Sequence, residues 1–474
     1  YGSFALISAI LTIHILNEKQ NASFKMAWLI PVLLFPVFGT LFYVFVQLQM
    51  ETKIFAKRIA EVQKRTDHFL EQDTAVYERL SRRSRRNANL SLYMKKSGGY
   101  PTWDRTNFKY FPLGDEFYTD VLQELQKARR YIFVEYFIIS KGILWDSILK
   151  ILEQKAKEGV EVRILYDGMN SFSNLPHDYP KELEAKGIRC RIFNPIRPAI
   201  STSQNNRDHR KITVIDGKVG FTGGYNLADE YFNITHPYGE WKDTGLKLTG
   251  DAVKTLTMLF LSMWNSIKKT DEPQDDYVKY IKASDYGYKA VNNNQYVVPY
   301  ADSPLNNNRV AENVYLNIIK SAKHYLYITT PYLLITEEMS RELAMAAMRG
   351  VDVRIVTPGI PDKKLTYSLT RSYYADLVRY GVRIYEYTPG FIHAKQWVSD
   401  GEVSVVGTIN MDFRSLYLHF ENAAYVYGRE TAADILNDFY NIFRRSEEVT
   451  DKYINKPRIL RFGQCILRLV APLF

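Results

Sequence analysis

The feature that most constrains this chain of 474 residues is one short pattern that occurs twice. His-x-Lys, followed after four further residues by Asp, stands in NNRDHRKITVIDG (205–217) and in FIHAKQWVSDG (391–401). The histidines, His209 and His393, are 184 positions apart. Three upstream stretches also recur in the same order: KARRYIFVEYF with AKHYLYITTPY, EGVEVRILYDG with RGVDVRIVTPG, and LEAKGIRCRIF with LVRYGVRIYEY. The sequence therefore predicts an internal duplication.

Each copy alternates amphipathic helices with apolar strands and ends in a Gly-rich turn, GFTGGYN or VVGTINM. Such alternation is typical of an α/β sandwich with a mixed or largely parallel sheet. The turns carry Asn226 and Asn410, which are again 184 positions apart. One His, one Lys and one Asn from each copy predict a pseudo-twofold active site around a small anion at the interface between the halves.

The spacing within each motif indicates its chemistry. Side chains two apart on a strand face the same way, so His209 and Lys211 share one face, as His393 and Lys395 do. A neutral imidazole beside an ammonium suits a negatively charged oxygen. A single histidine at a strand end is more often structural, but its recurrence with the same neighbours favours a functional site.

The doubled motif and its flanks resemble the phospholipase D superfamily, and within it the bacterial cardiolipin synthases that carry two N-terminal membrane helices. The stretches that carry the resemblance are RDHRKITVIDGKVGFTGGYNLADEY, WKDTG, TTPYLLI, GFIHAK and NMDFRS. The resemblance implies duplicated phospholipase D-like α/β/α sandwich halves that form one active site. One departure is Thr408 in GTIN, where the family more often has Ser; Thr keeps the hydroxyl.

The resemblance also implies a role for each motif residue. His209 would attack phosphorus and form a phosphatidyl-histidine, while His393 would protonate the leaving glycerol and then deprotonate the incoming alcohol. Lys211 and Lys395 would neutralise the non-bridging oxygens, and Asn226 and Asn410 would donate hydrogen bonds to them. The near-symmetry of the duplication by itself leaves open which histidine attacks first.

Four acidic residues accompany the histidines. Asp243 lies 34 residues after His209 and Glu421 lies 28 after His393, and the resemblance implies that an acid at about each place hydrogen-bonds the histidine. Such a carboxylate fixes the tautomer and raises the basicity of the ring. The alternative for Asp243 is a surface salt bridge with Lys242. Asp216 and Asp400 complete the catalytic motifs, but we expect them to face away from the phosphate and to close the turns before Gly217 and Gly401.

The candidate site requires no cofactor and no metal. None of the eight histidines belongs to an HExxH motif or to a paired cysteine cluster. Cys190 and Cys465 do not suggest a disulfide framework, which suits a reducing cytoplasm.

The N-terminal residues 1–50 predict a transmembrane hairpin. Residues 26–50 carry no charge over 25 positions, enough at 1.5 Å per residue to cross a hydrocarbon core of about 30 Å. The apolar residues 1–16 predict a first span whose beginning is missing or processed, in preference to a signal peptide. Basic residues after position 50 place the catalytic halves on the cytoplasmic side of the bacterial cell membrane and the loop 17–25 outside.

The remaining boundaries follow from composition. We expect a basic juxtamembrane linker over 51–105, the first phospholipase D-like domain over 106–285 and the second over 286–450. Residues 451–474 form a basic amphipathic tail that either lies in the membrane interface or packs on the second domain.

The formal net charge of +10 beside a membrane hairpin favours anionic lipid over nucleic acid as the partner. The motifs alone indicate only phosphodiester transfer through histidine. The resemblance implies that a phosphatidyl group passes from one phosphatidylglycerol to another, with release of glycerol. The rivals are a hydrolase or another headgroup-exchange enzyme on the same scaffold, then a nuclease, then a catalytically silent lipid-binding scaffold. The acceptor range and homo-oligomer formation stay open.

Overall fold

A computed structural model describes residues 2–18, 21–47, 50–169, 174–196, 205–267, 275–281, 294–305, 308–454 and 468. The strands of the first half are β1 Thr106–Phe111, β2 Tyr131–Tyr136, β3 Glu161–Asp167, β4 Arg189–Phe193, β5 Arg207–Asp208, β6 Lys211–Ile215, β7 Val219–Gly223, β8 Glu240–Lys242 and β9 Gly245–Gly250. Those of the second half are β10 Tyr296–Asp302, β11 Tyr325–Thr329, β12 Asp352–Pro358, β13 Arg383–Tyr387, β14 Gly390–Ile392, β15 Gln396–Ser399, β16 Val403–Gly407, β17 His419–Tyr427 and β18 Ser446–Glu448.

The two halves repeat one sheet topology. The first sheet has the strand order β1-β9-β7-β6-β2-β3-β4, and the second has β10-β17-β16-β15-β11-β12-β13, extended by β18. In each sheet three strands, β2-β3-β4 or β11-β12-β13, run parallel and the others pair antiparallel. The predicted duplication and the mixed α/β sheet are confirmed.

Helices provide the crossovers that parallel strands require. In the first half they are Ile143–Lys157 and Tyr179–Glu184, and in the second Glu337–Met348 and Lys364–Val378. The other long helices of the two halves are Gly114–Lys127, Val253–Ser266, Val310–Ser321 and Arg429–Arg444. Shorter helices are Asp229–Phe232, Tyr277–Ile281, Phe413–Tyr417 and Thr450–Ile454.

The halves share one apolar core. A single cluster of buried side chains includes Phe133 and Val214 of the first sheet together with Ile328 and Trp397 of the second. Fully burying a side chain of this size contributes about 1.5 to 3 kcal/mol. This shared core holds the two sheets in a fixed relation, which positions a site built from both.

Two short strand pairs cross between the halves. β5, which ends just before His209, pairs in parallel with the start of β17, and β14, which ends just before His393, pairs in parallel with β8. Each histidine motif is thereby joined by backbone hydrogen bonds to the strand that leads to the other half's acidic residue.

The N-terminal residues form three helices, Gly2–Asn17, Ala22–Leu34 and Pro36–Gln47. The continuous span predicted over 26–50 is interrupted at Phe35, whose φ and ψ are −129° and 72°. Proline disfavours helical geometry in the residue before it but is well suited to the first turn of a new helix, so Pro36 ends one helix and begins the next. Within the described residues, no helix is both long and apolar enough to cross a membrane, and the predicted hairpin is not confirmed.

The segment between these helices and the first sheet is helical, over Met50–Thr66, Thr74–Arg83 and Arg85–Gly98, with a short 3-10 turn at Asp67–Phe69. Most of the predicted C-terminal tail, Cys465 included, lies outside the described residues. Arg468 is described, and its guanidinium donates to Ser372 Oγ at 3.2 Å and to Asp376 Oδ2 at 2.5 Å on the helix Lys364–Val378.

Candidate active site

Both motif histidines are buried and anchored by the other half. The His209 N–H donates to the Phe420 carbonyl at 2.9 Å, and the His393 N–H donates to the Lys242 carbonyl at 2.7 Å. Phe420 and Lys242 directly precede Glu421 and Asp243. The crossed strand pairs thus place each imidazole beside the following carboxylate of the opposite half.

Each motif histidine pairs with a carboxylate from the other half. His209 Nδ1 lies 2.9 Å from Glu421 Oε2, and His393 Nδ1 lies 2.6 Å from Asp243 Oδ2. The sequence identified both acids, but the pairing of each with the histidine before it in the chain is wrong. The physical reason is the strand exchange, because β8 and β17 run beside the histidine motif of the other half.

The alternative for Asp243, a surface salt bridge with Lys242, is also wrong. Asp243 is fully buried, and Lys242 Nζ pairs instead with Asp438 Oδ2 at 2.8 Å. A buried carboxylate needs compensating donors. Asp243 has them in the His393 ring and the Thr244 N–H, which donates to Oδ1 at 2.8 Å.

The two Gly-rich turns treat these carboxylates differently. Thr408 of GTIN donates its hydroxyl to Glu421 Oε2, so the residue that departs from the family pattern helps hold the partner of His209. Gly224 occupies the equivalent place in GGYN, where a Cβ would lie 1.9 Å from Asp243 Oδ1. The second half therefore uses a hydroxyl where the first half needs empty space.

The motif lysines lie beside their histidines, as the spacing predicts. Lys211 Nζ donates to the His209 carbonyl at 2.5 Å, and Lys395 Nζ donates to the His393 carbonyl. Burial lowers the pKa of Lys211 to about 7 and that of Lys395 to about 8. A phosphodiester anion would favour the charged ammonium form of both.

The charges around the histidines differ between the halves. Burial and then the Lys395 charge lower the pKa of His393 to about 4, against an opposing contribution from Asp243. Burial lowers the pKa of His209 well below its usual value, and Lys211, His419, Lys395 and His393 lower it further. His393 and Lys395 of the second motif therefore add to the positive charge around His209.

The carboxylates are unequal as well. Burial raises the pKa of Asp243, but His393 and Lys395 outweigh it and hold the pKa below its usual range. Burial raises the pKa of Glu421 well above its usual range. The surroundings thus favour the ionised form of Asp243 and the protonated form of Glu421.

Asp216 and Asp400 stand outside the reacting centre. Asp216 accepts the backbone N–H groups of Arg129, Arg130 and Tyr131 at 2.9, 2.8 and 3.0 Å. Asp400 accepts those of Lys323, His324 and Tyr325 at 2.9, 2.9 and 3.1 Å. Both have positive φ, 54° and 53°, at the turns before Gly217 and Gly401. Both carboxylates therefore join their turns to the start of a neighbouring strand, which is the structural part expected of them.

The two asparagines are buried beside this centre. Asn226 accepts the Ile138 N–H at 3.0 Å and donates to the Tyr231 hydroxyl at 2.7 Å, while the Tyr231 ring lies edge-on to His393 at 5.4 Å. Asn410 hydrogen-bonds Asp412. Donation from Asn226 and Asn410 to phosphoryl oxygens stays a prediction.

His419 is a site residue that no sequence motif indicated. Its ring centroid lies 5.5 Å from that of His209, and its Nδ1 is 3.7 Å from Glu421 Oε1. The ligand atoms of His209, His419 and Glu421 lie within 4.8 Å of one another, a spacing that could hold a metal ion. Burial and then the charges of Arg414, Lys211 and Arg207 lower the pKa of His419. The same positive charges oppose the binding of a divalent cation here.

Comparison with known proteins gives two family matches. The family described as "Cardiolipin synthase, PLD-like domain" matches residues 121–264 and 315–443, and the family described as "Phospholipase_D-nuclease N-terminal" matches residues 6–47. An uncharacterized protein of Streptococcus mutans is 42% identical over 469 residues, covering 99% of this chain and 100% of the relative.

A cardiolipin synthase of Geobacillus kaustophilus is 33% identical over 474 residues, covering 99% of this chain and 92% of the relative. Among solved structures, phosphatidylserine synthase of Haemophilus influenzae has the same fold, with a TM-score of 0.57 at 16% identity over 77% of this chain and 95% of that one. The resemblance inferred from the motifs is confirmed, and the chain belongs to the cardiolipin synthase family of phospholipase D-like enzymes.

Proposed function

We propose that this chain is a cardiolipin synthase. It transfers the phosphatidyl group of one phosphatidylglycerol to a second, through a phosphatidyl-histidine on His209, and releases glycerol. The observation that carries the proposal is the buried pair of crossed histidine–carboxylate contacts, at 2.9 and 2.6 Å, with one lysine beside each histidine. The family match and the cardiolipin synthases among its relatives support the choice of substrate.

The first half-reaction forms the intermediate. Nε2 of His209 attacks the phosphorus of the donor while Glu421 holds Nδ1, so the lone pair is presented at the ring's far side. The bond from phosphorus to the glycerol oxygen breaks, and that oxygen takes its proton from His393. Lys211 and Lys395 offset charge on the non-bridging oxygens, and each such donor is worth about 3 kcal/mol in a transition state.

The second half-reaction consumes the intermediate. His393, now neutral, removes the proton from a glycerol hydroxyl of the second phosphatidylglycerol. The resulting oxygen attacks phosphorus, the bond between phosphorus and His209 breaks, and cardiolipin leaves. Both histidines return to their starting protonation states, so no other reactant is needed.

The charge distribution supports this division of work. His393 must be protonated to act as a general acid, but its pKa of about 4 favours the neutral ring in the protein without substrate. A bound phosphodiester adds negative charge beside His393 and raises its pKa. Asp243 acts in the same direction, whereas the surroundings of His209 keep that ring neutral.

The proposal includes the place of action. The enzyme works at the bacterial cell membrane, with its catalytic halves on the cytoplasmic side and the N-terminal residues as the attachment. The net charge of +10 and the exposed basic side chains after residue 50 favour anionic lipids such as phosphatidylglycerol.

The test supplies the protein with phosphatidylglycerol in liposomes and resolves the products by mass spectrometry. Cardiolipin and free glycerol in equal amounts, both absent with His209→Ala, are expected. Phosphatidic acid without cardiolipin would overturn the synthase in favour of a hydrolase. Turnover that persists in His209→Ala would overturn the assignment of the nucleophile.

A further inference from the structure

Beside His209, two buried side-chain nitrogen atoms lack a hydrogen-bond partner among the described residues. They are Nε of Arg207 and Nδ1 of His419. Glu421 Oε1 lies 3.7 Å from His419 Nδ1, which is too far for a hydrogen bond. Buried polar groups usually have partners, so these two nitrogens indicate a ligand that supplies oxygen atoms.

Backbone pairing puts Arg207 and His419 side by side. Arg207 of β5 is the register partner of His419 at the start of β17. Arg207 also stands two residues before His209, so the alternation of strand side chains directs both toward one face. The position of the His419 ring agrees, because its centroid lies 5.5 Å from that of His209. The two nitrogen atoms therefore lie on the same side of the strands as the reacting imidazole.

The duplication shows that the fold does not require charge at these positions. In the second half, Phe391 stands two residues before His393 and is the register partner of Trp241. The rings of Phe391 and Trp241 pack 4.9 Å apart and lie 5.9 and 5.3 Å from that of His393. An aromatic pair thus serves the same strand crossing. Arg207 and His419 therefore have a role that the His393 side lacks.

Two further cations extend this polar side toward solvent. Arg414 is half-buried on the helix Phe413–Tyr417, which leads into β17, and Lys363 is exposed. Burial lowers the pKa of His419, and the charges of these two side chains and of Arg207 lower it further. We call Arg207, His419, Arg414 and Lys363 the basic cluster.

The carboxylates near the basic cluster are held by other donors as well. Asp167 lies 3.4 Å from Arg207 Nη1, but its two oxygens also accept backbone N–H groups at 2.8 Å each. Asp412 caps the short helix that carries Arg414 and accepts the Ser415 N–H at 2.8 Å. These carboxylates offset the positive charge only in part. Because buried charges need compensation, the cluster favours an anionic ligand.

We propose that the basic cluster is a second anion subsite, which holds the phosphate of the acceptor phosphatidylglycerol while its glycerol hydroxyl faces the phosphatidyl-histidine. The inference rests on the proposed function, which supplies both the intermediate and the acceptor. In cardiolipin the two phosphates are joined through one glycerol, so the acceptor's phosphate lies within one glycerol's length of the reacting one. A His419 ring 5.5 Å from that of His209 is within this reach.

The basic cluster also extends to the side from which the acceptor arrives. In an in-line displacement the incoming oxygen lies opposite His209, on the side of His393. Lys363 Nζ lies 5.9 Å from the centre of the Tyr332 ring, and Tyr332 packs against Phe391. The Phe391 ring in turn lies 5.9 Å from that of His393. The exposed end of the cluster therefore lies where the acceptor's headgroup would enter.

The test offers the enzyme two soluble acceptors at once, with phosphatidyl-p-nitrophenol as the donor. Glycerophosphoglycerol is deacylated phosphatidylglycerol and carries its phosphate, whereas glycerol carries no charge. Mass spectrometry measures the two transfer products, and nitrophenol release measures the first half-reaction. Arg414→Gln and Lys363→Gln each remove one charge from the basic cluster. Lys364→Gln is the matched control, at the exposed neighbour that begins the helix Lys364–Val378.

We expect the parent to prefer glycerophosphoglycerol over glycerol. Arg414→Gln should lower that preference about 10-fold, as expected for the loss of one hydrogen bond to a charged group. Lys363 is exposed, so Lys363→Gln should lower the preference less, and it keeps the test available if Arg414→Gln does not fold. Nitrophenol release and transfer to glycerol should stay at parental values, and Lys364→Gln should behave as the parent does.

A parent without preference, or a preference that Arg414→Gln and Lys363→Gln both retain, would overturn the inference. Equal losses with both acceptors would overturn it as well, because they would assign these side chains to the donor or to the fold.

Failure of the subsite is distinguishable from failure of the proposed function. A parent that releases no nitrophenol would refute the phosphatidyl-histidine, and the subsite with it. A parent that releases nitrophenol and forms cardiolipin from phosphatidylglycerol, but shows no preference between the soluble acceptors, would refute the subsite alone.

Discussion

At the residue scale, Gly224 leaves the space that Asp243 occupies. Any side chain there would place Cβ 1.9 Å from Asp243 Oδ1 and push the carboxylate away from His393. Displacement of a catalytic group by about 1 Å costs on the order of 100-fold in rate. We expect Gly224→Ala to lower the rate of cardiolipin formation by about that factor.

Gly159→Ala is the matched control for this glycine substitution. Gly159 has a φ of +86°, and nothing lies within 4 Å of a Cβ built there. Gly159→Ala therefore introduces the backbone strain of a replaced glycine without changing any contact of the candidate active site. If Gly224→Ala retained full activity while folded, the contact between Asp243 and His393 would not matter for the reaction.

The lysines give the reaction an alkaline limit. Their pKa values, lowered by burial to about 7 for Lys211 and about 8 for Lys395, mean that both lose their charge as the pH rises through 7 to 8. The profile of kcat/KM reports groups of the free enzyme. We expect kcat/KM for phosphatidylglycerol to fall as the pH rises through about 7 to 8.

Lys395→Arg checks this cause, because guanidinium stays charged throughout the range. Its kcat/KM should be lower at neutral pH but should decline less on the alkaline side. An alkaline limb of unchanged position and steepness would assign the titration to another group.

At the scale of elements, the turns closed by Asp216 and Asp400 join strands to the edge of a neighbouring strand. Asp400→Asn removes the charge that accepts three backbone N–H groups. Hydrogen bonds to charged groups contribute about 1.5 to 3 kcal/mol each, so we expect a loss of about 3 kcal/mol of stability. Thermal unfolding measures it, and turnover per folded molecule should not change.

Glu402→Gln, two residues further along the same turn, is the control. Its pairing with Arg429 at 3.4 Å is on the surface, where an ion pair contributes at most about 1 kcal/mol. If Asp400→Asn abolished turnover in protein that remained folded, Asp400 would belong to the catalytic set after all.

Most of the helices and strands, and their repetition, could be predicted from residues close together in the sequence. The alternation of helix and strand, the repeat and the motif lysines depend on residues close in sequence, and all were found. The crossed pairing could not be predicted, because Asp243 and Glu421 follow their preceding histidines at similar distances. Only the packing of β8 and β17 decides which histidine each one meets. His419 was missed because no repeat and no motif spacing includes it.

At the scale of the whole molecule, hydropathy alone was ambiguous at the N-terminus. An uncharged stretch of 25 residues is long enough to span a bilayer, but Pro36 follows Phe35 within it, and the contacts of Trp28 with Phe42 and Tyr43 close a turn. The preference for lipid that composition indicates stays a prediction, and the path of the chain depends on contacts between helices.

The exposed apolar side chains of the N-terminal helices should control membrane binding, because the proposed function attaches the enzyme through these residues. Phe38 is 69% exposed, and a charge placed in hydrocarbon by Phe38→Asp costs about 3 kcal/mol. That cost corresponds to about 100-fold weaker binding to phosphatidylglycerol vesicles in a flotation assay. Met345→Asp, at a residue 50% exposed on the second half, should bind as the parent does. Equal binding by both variants would contradict attachment through the N-terminal helices.

The crossed carboxylates allow the most direct test of the whole account. Phosphatidyl-p-nitrophenol has a leaving group that needs no protonation. The first half-reaction on this substrate therefore depends on the nucleophile and its carboxylate, whereas the second still depends on the proton carrier. Nitrophenol release and mass mapping of the adduct are followed together in Asp243→Asn and Glu421→Gln.

We predict that Asp243→Asn releases one nitrophenol per enzyme at the parental rate, leaves the lipid on His209 and then stalls. Glu421→Gln should slow that first release by about 100-fold, the contribution expected of a group that sets the nucleophile's proton. The reverse pattern, with the burst lost in Asp243→Asn and kept in Glu421→Gln, would contradict the account. An adduct on His209 would then refute the crossed pairing as the working arrangement, and an adduct on His393 would refute His209 as the nucleophile.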